Sequence, residues 1–315
     1  VNPMSLQSSH GWHIHIHREL DIDLWHTCLQ QLSDEQPMLR THFVTADKPW
    51  LDMGYLVVRK PFTIAFDVFD WRQQTVSEQQ LEQQIRAYIY RPYNLQTDAL
   101  IHYGVIRLKD DHVVVMTAVH HAVLDGAALN SLWEQLTARY TLLLQDQAVT
   151  EYLPDNFPEF VAYDRRVMDT APVLSFWRDQ FRGVEPLDFT VPAPVPAASH
   201  FITRERFLAD EHFAQLKRFC REQRITPALY LKSLFALMIQ SYCRPDSDFS
   251  LQETMGGRIK GHYQTFGCYI QEIPFIVRKD ALAPHNRFSE LLEYARQYQK
   301  RSEEHTSELQ SHHDL

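Results

Sequence analysis

The sequence predicts a mixed α/β protein built as two lobes. Three observations carry this expectation. Strand-like and helix-like apolar periods alternate along the chain. A proline-dense stretch, residues 191–199 ("VPAPVPAAS"), interrupts them and reads as a semi-extended connector. The same alternation then resumes, so both sides of the connector carry strands and helices.

Element by element, "GWHIHIHREL" places Trp12, Ile14 and Ile16 opposite His13, His15 and His17, the pattern of a half-buried strand. Leu20, Leu24, Cys28 and Leu32 follow at helical spacing. "TIAFDVFDW" reads as a strand, and Ser77 with Gln80 forms a capping box that opens a helix. "ALIHYGVIRLK" and "HVVVMTAV" are strands joined by Asp110-Asp111 as a hairpin. Ala128, Leu132, Trp133, Leu136, Tyr140 and Leu143 mark a long amphipathic helix. Beyond the connector, "DEHFAQLKRFCREQ" is an amphipathic helix. The next helix has Thr226 as cap and Pro227 in its first turn. "FGCYIQEIPFIVR" is an apolar strand and "FSELLEYARQYQ" a last helix. The expected division is 1–185 for the N-terminal lobe, 186–200 for the connector and 201–300 for a partial second lobe. Residues 301–315 are polar and aperiodic and read as a non-native tail, the second lobe being truncated.

Composition narrows the chemistry. Of 315 residues, 44% are hydrophobic and 23% charged, an ordinary soluble balance. A formal net charge of −9 argues against a nucleic-acid binder. The four cysteines, Cys28, Cys220, Cys243 and Cys268, form no CxxC pair, which argues against a disulfide framework or zinc cluster and fits a reducing cytoplasm. The first residues carry no secretion signal, and the most apolar helix is too short for a membrane span. No GxGxxG, Walker loop or GxSxG elbow is present. The ladder His13, His15, His17 reads as the wet face of a strand, so no metal is expected.

The chemistry centres on "VVVMTAVHHAVLDGAALNSLWEQL", residues 113–136. His121 follows a buried strand that fixes its position. A neutral imidazole with a pKa near 6.5 can take a proton and return it. Asp125 either caps the next helix or pairs with a buried cation. Gly126 relieves the backbone of a Cβ, and the helix N-terminus beyond it favours developing negative charge. A histidine pair packed at a surface and an Asp-Gly turn are the plain alternatives.

HHAVLDG matches HHxxxDG, and the chain resembles the condensation domains of nonribosomal peptide synthetases, within the chloramphenicol-acetyltransferase-like superfamily. Other segments share the resemblance in family order: "QPMLRTHF" with Gln36 where a histidine is usual, "RPYNLQTDALIHYGVIRL", "FWRDQFRG" and "GGRIKGHYQTFGCYIQEIPFIVR", in which "CYIQE" departs from the family pattern. The resemblance implies two chloramphenicol-acetyltransferase-like lobes with the active site at their interface. It also implies amide-bond formation between carrier-tethered thioesters, with His121 catalytic, His120 and Gly126 in its loop, and Asp125 salt-bridged to Arg40 of "LRT". No cofactor is expected beyond the phosphopantetheine of partner carrier domains, and an adenylation domain of the same assembly line is the further partner. The same site is compatible with an epimerisation domain, a free-standing acyltransferase, or an inactive recruitment module.

Overall fold

The computed structural model describes residues 9–45, 54–150, 154–187, 206–243, 247–283 and 287–303. They form two compact units, 1–161 with 258–270, and 162–257 with 271–315.

The first unit is organised by strand β6 (His112–His120), the run that reads "HVVVMTAVH". In the four-stranded sheet it lies between β1 (Ser9–Ile16) and β5 (Ile101–Lys109), antiparallel to both, and β4 (Phe66–Asp70) adds parallel to β5. Alternate side chains of a strand leave opposite faces. Val113, Val115 and Val119 accordingly join one core with helices α1 (Ile22–Glu35) and α3 (Gly126–Leu144), through Trp25, Leu29, Leu129, Leu132 and Trp133. Val114, Met116 and Ala118 join another, with Ile85, Tyr88 and Ile89 of α2 (Glu78–Ile89). Burial on both faces is why the run is apolar without alternation. The expected hairpin at Asp110-Asp111 is present. So is the capping box: Gln80 N donates to Ser77 Oγ and Ser77 N donates to Gln80 Oε1.

Strand β1 departs from the half-buried pattern. Trp12 and Ile14 are 39% and 36% exposed, because β1 is an edge strand with only part of its apolar face covered. A separate antiparallel pair, β2 (Thr41–Thr45) and β3 (Gly54–Val58), is not anticipated by the sequence pattern.

The second unit holds most of helix α4 (Phe157–Met168), then α5 (Ala171–Gln180), α6 (Asp210–Gln223) and α7 (Pro227–Cys243). Strands β7 (Phe249–Gly256) and β8 (Ile270–Val277) and helix α8 (Phe288–Glu303) complete it. Phe275, Ile276 and Val277 of β8 pack with Leu229, Ala236 and Ile239 of α7 and with Leu291, Ala295 and Tyr298 of α8.

The lobe boundary expected at 185 is corrected. Residues 162–187 group with the second unit because Val184 bridges to Asp248 and Arg278 binds the carbonyls of Gln180 and Arg182. Residues 258–270 return to the first unit. Most of the proline-rich connector, and residues 304–315 of the tail, lie outside the described residues; residues 301–303 continue α8.

Candidate active site

Two-sided packing holds β6 rigid up to His120, which is 8% exposed. The His120 backbone N–H donates to Leu100 O at 2.8 Å. Its ring Nδ1 accepts from Ala122 N at 3.2 Å, and Tyr93 meets the ring edge-on at 5.7 Å. Burial lowers the His120 pKa, with the neighbouring His121 as the second cause. A neutral ring whose Nδ1 is already occupied supports the turn that follows.

His121 is the first residue of that turn and is only partly buried. Its Nδ1 lies 3.7 Å from Cys268 Sγ, and its ring is 4.3 Å from that of His10 on β1. Burial pushes the Cys268 thiol up; a backbone hydrogen bond and Arg258 act against this, and Asp125 acts with it. The thiol therefore stays protonated at neutral pH, so the contact is not a thiolate–imidazolium pair. The contact uses Nδ1 and leaves Nε2 of His121 outside it.

Val123 and Leu124 are buried below the turn and anchor it. Asp125 then caps α3, accepting from Ala128 N at 2.8 Å. Three more donors converge on the same carboxylate: Arg258 Nη2 at 2.8 Å, Arg258 Nη1 at 3.0 Å and Tyr269 N at 2.9 Å. The Asp125 and Arg258 side chains are 4% and 8% exposed. Four donors converge on this buried carboxylate, so Asp125 fixes the geometry of the turn.

The expected partner of Asp125, Arg40, is corrected. Arg40 ends a short 3-10 turn, and its guanidinium binds backbone carbonyls. Nε donates to Ser33 O at 2.6 Å, Nη2 to Asp34 O at 3.2 Å and Nη1 to Arg59 O. Two of these carbonyls, Ser33 O and Asp34 O, belong to the C-terminal turn of α1, which Arg40 thereby caps. The cation that Asp125 requires is Arg258, 133 residues away in sequence.

The segment that carries Arg258 is built for this contact. Arg258 Nη2 also donates to Thr265 O at 3.3 Å, and its guanidinium lies 4.3 Å over the Tyr269 ring. Tyr269 Oη meets His262 Nδ1 at 3.1 Å. Ser131 of α3 donates to Gln264 O at 2.9 Å, and Asp125 N donates to Gly267 O at 3.3 Å. Gly267 has φ +152°, and a Cβ there would fall 2.2 Å from the Phe157 ring.

The conformational reason expected for Gly126 is also corrected. Its φ is not in the left-handed region, and an added Cβ would meet nothing within 4 Å. What distinguishes Gly126 is open space in front of it at the N-terminus of α3, where the helix end favours negative charge.

The structure thus brings His120, His121, Asp125 and Gly126 into one loop and leaves Arg40 out. The sequence pattern assigns no role to His10, Arg258, Cys268 or Tyr269. The detectable signal for Arg258 is the glycine-rich stretch around it, in which it is the first basic residue.

Comparison with known proteins identifies the family. The condensation-domain family model matches residues 4–308. Tyrocidine synthase 2 of Brevibacillus parabrevis is 24% identical over 288 residues, covering 89% of this chain and 8% of that protein. Phosphinothricin tripeptide synthetase PhsC of Streptomyces viridochromogenes is 26% identical over 218 residues, 66% of this chain and 19% of that one. The chain therefore spans a small part of the synthetases it resembles. Among solved structures, the first condensation domain of the CDA synthetase superposes with a TM-score of 0.76 at 17% identity, covering 97% of this chain and 72% of that one. The X-domain from teicoplanin biosynthesis gives 0.79 at 14%, covering 95% and 67%. These likenesses bear out the mixed α/β fold of chloramphenicol-acetyltransferase type. With the family match extending over nearly all of its length, this chain belongs to the condensation domains of nonribosomal peptide synthetases.

Proposed function

We propose that this domain joins a donor acyl or peptidyl thioester to the amine of an acceptor aminoacyl thioester, both tethered to phosphopantetheine on carrier domains. The amine nitrogen attacks the thioester carbonyl, a C–N bond forms and the C–S bond breaks. The proton lost by the amine passes to the departing sulfur, which leaves as a thiol. His121 carries that proton or holds the amine by hydrogen bonding. The observation that supports this reading is the His121 imidazole, partly exposed on a turn that the Asp125–Arg258 pair holds in place.

Magnitudes divide the work. Placing two tethered reactants can supply roughly 7–11 kcal/mol of the barrier. A positioned general base contributes about 10²–10⁴-fold, or roughly 3–5 kcal/mol. Asp125 and the N-terminus of α3 act through position and charge. The reading includes carrier and adenylation domains as partners, since the relatives are synthetases many times longer than this chain. It also includes a cytoplasmic setting; among the described residues no helix is long and apolar enough to cross a membrane.

The test is single-turnover condensation in the intact synthetase with both carriers loaded, read as amide product by mass spectrometry. His121→Ala is expected to slow product formation by about 10²–10⁴-fold while the melting curve is unchanged. Turnover equal to the parent's overturns the assignment.

A further inference from the structure

The strand pairing gathers a second set of imidazoles away from the His121 turn. His15 lies near the end of β1, His17 directly follows that strand, and His112 opens β6. The antiparallel register sets Ile16 against Val113, so His17 and His112 flank the last pair. His15 Nδ1 is 3.1 Å from His112 Nε2. The His17 and His112 ring centroids are 4.1 Å apart. One ligand nitrogen from each of the three falls within 4.8 Å of the others. His15 and His17 are exposed and His112 is half-buried.

We propose that His15, His17 and His112 form a binding site for a borderline-soft divalent transition metal, with zinc the expected ion. Zinc binds imidazole nitrogen at about 2.0–2.1 Å in tetrahedral sites, which places ligand atoms roughly 3.4 Å apart. The His15–His112 pair already meets that spacing. The remaining gaps close by about 1.4 Å at most, within the reach of rotamer changes at exposed side chains. Imidazole-only donors favour zinc, copper or nickel over magnesium or calcium, which prefer oxygen. The fourth position would remain open to water. Lys109 and Asp111 flank His112 with opposite charges, and His13 continues the ladder behind His15. His15 comes from edge strand β1, His17 directly follows it and His112 opens β6, so a bound ion would clip the edge strand to its neighbour. Sequence periodicity shows the ladder but not its partner, because His112 stands 97 residues from His15.

The experiment is calorimetric titration of the full chain with zinc chloride, with cobalt(II) as spectroscopic probe and thermal melting in parallel. One zinc per chain is expected, with tetrahedral visible bands for cobalt and a melting temperature that rises with zinc concentration. His112→Gln and His17→Gln are each expected to weaken binding at least tenfold and to remove the melting shift. Both residues have exposed surface, so folding should survive, and if one variant misfolds the other reads the site. The triple change His305→Gln, His312→Gln, His313→Gln is expected to bind as the parent does. No zinc binding by the parent overturns the proposal, as does binding by His112→Gln or His17→Gln at parental affinity.

Discussion

Asp125 is buried with four donors around it, and Arg258 supplies the only positive charge among them. Removing one member of a buried ion pair leaves the other charge unpaired, at a cost of about 3–5 kcal/mol. Arg258→Ala is therefore expected to lose that much stability in urea denaturation. Arg258→Lys should recover only part of it, since an ammonium cannot reproduce the two-pronged contact. A double-mutant cycle should show coupling between positions 125 and 258 and none between 125 and 40. The sequence announces the need for a buried cation but not its source. Several arginines are available, and which one reaches Asp125 depends on a fold-back that no local pattern encodes. His121 is legible because strand, turn and helix signals converge within a few residues. His10 and Cys268 are not, since both reach His121 only through tertiary packing.

Secondary elements are most legible where local chemistry decides them. The Ser77–Gln80 capping box, the Asp110-Asp111 hairpin and the Thr226 cap of α7, where Leu229 N donates to Thr226 Oγ1, all follow from short-range rules. Periodicity tells which β1 residues share a face but not whether that face is covered, and Trp12 and Ile14 prove substantially exposed. The β2–β3 pair leaves no such signal. Tyr55, Leu56, Val57 and Val58 are all apolar and all exposed, so no polar–apolar alternation marks the strand. One element depends on a single missing side chain. Gly267 combines φ +152° with the Phe157 ring 2.2 Å from where a Cβ would stand. Gly267→Ala is expected to cost about 1–3 kcal/mol from backbone strain, with the clash adding to it. A lower urea midpoint at unchanged slope is the expected reading. The change should also disturb Cys268 and Tyr269, so the proposed condensation reaction should slow along with the loss of stability.

Across the whole chain, His102, His120 and His262 share one property: burial is the first cause lowering each pKa. The unfolded chain therefore binds more protons than the folded one below about pH 6.5, and stability rises with pH through that window. Urea midpoints should be level above neutrality and fall as the pH drops through about 6.5 toward the depressed folded values. Replacing His120 and His262 by glutamine should flatten that fall. The overall plan is legible because family-like segments occur in order over most of the chain. The partition into units is not, since residues 258–270 complete a body that otherwise ends at residue 161.

That discontinuity shapes biosynthesis. A ribosome finishes the turn bearing His121 long before it reaches the arginine that secures it. At roughly 5–20 residues per second, the 133 residues between Asp125 and Arg258 take about 7–27 s to translate. Throughout that interval the Asp125 carboxylate is without its counter-ion. Until Arg258 is made, the His121 turn goes without the ion pair that fastens it.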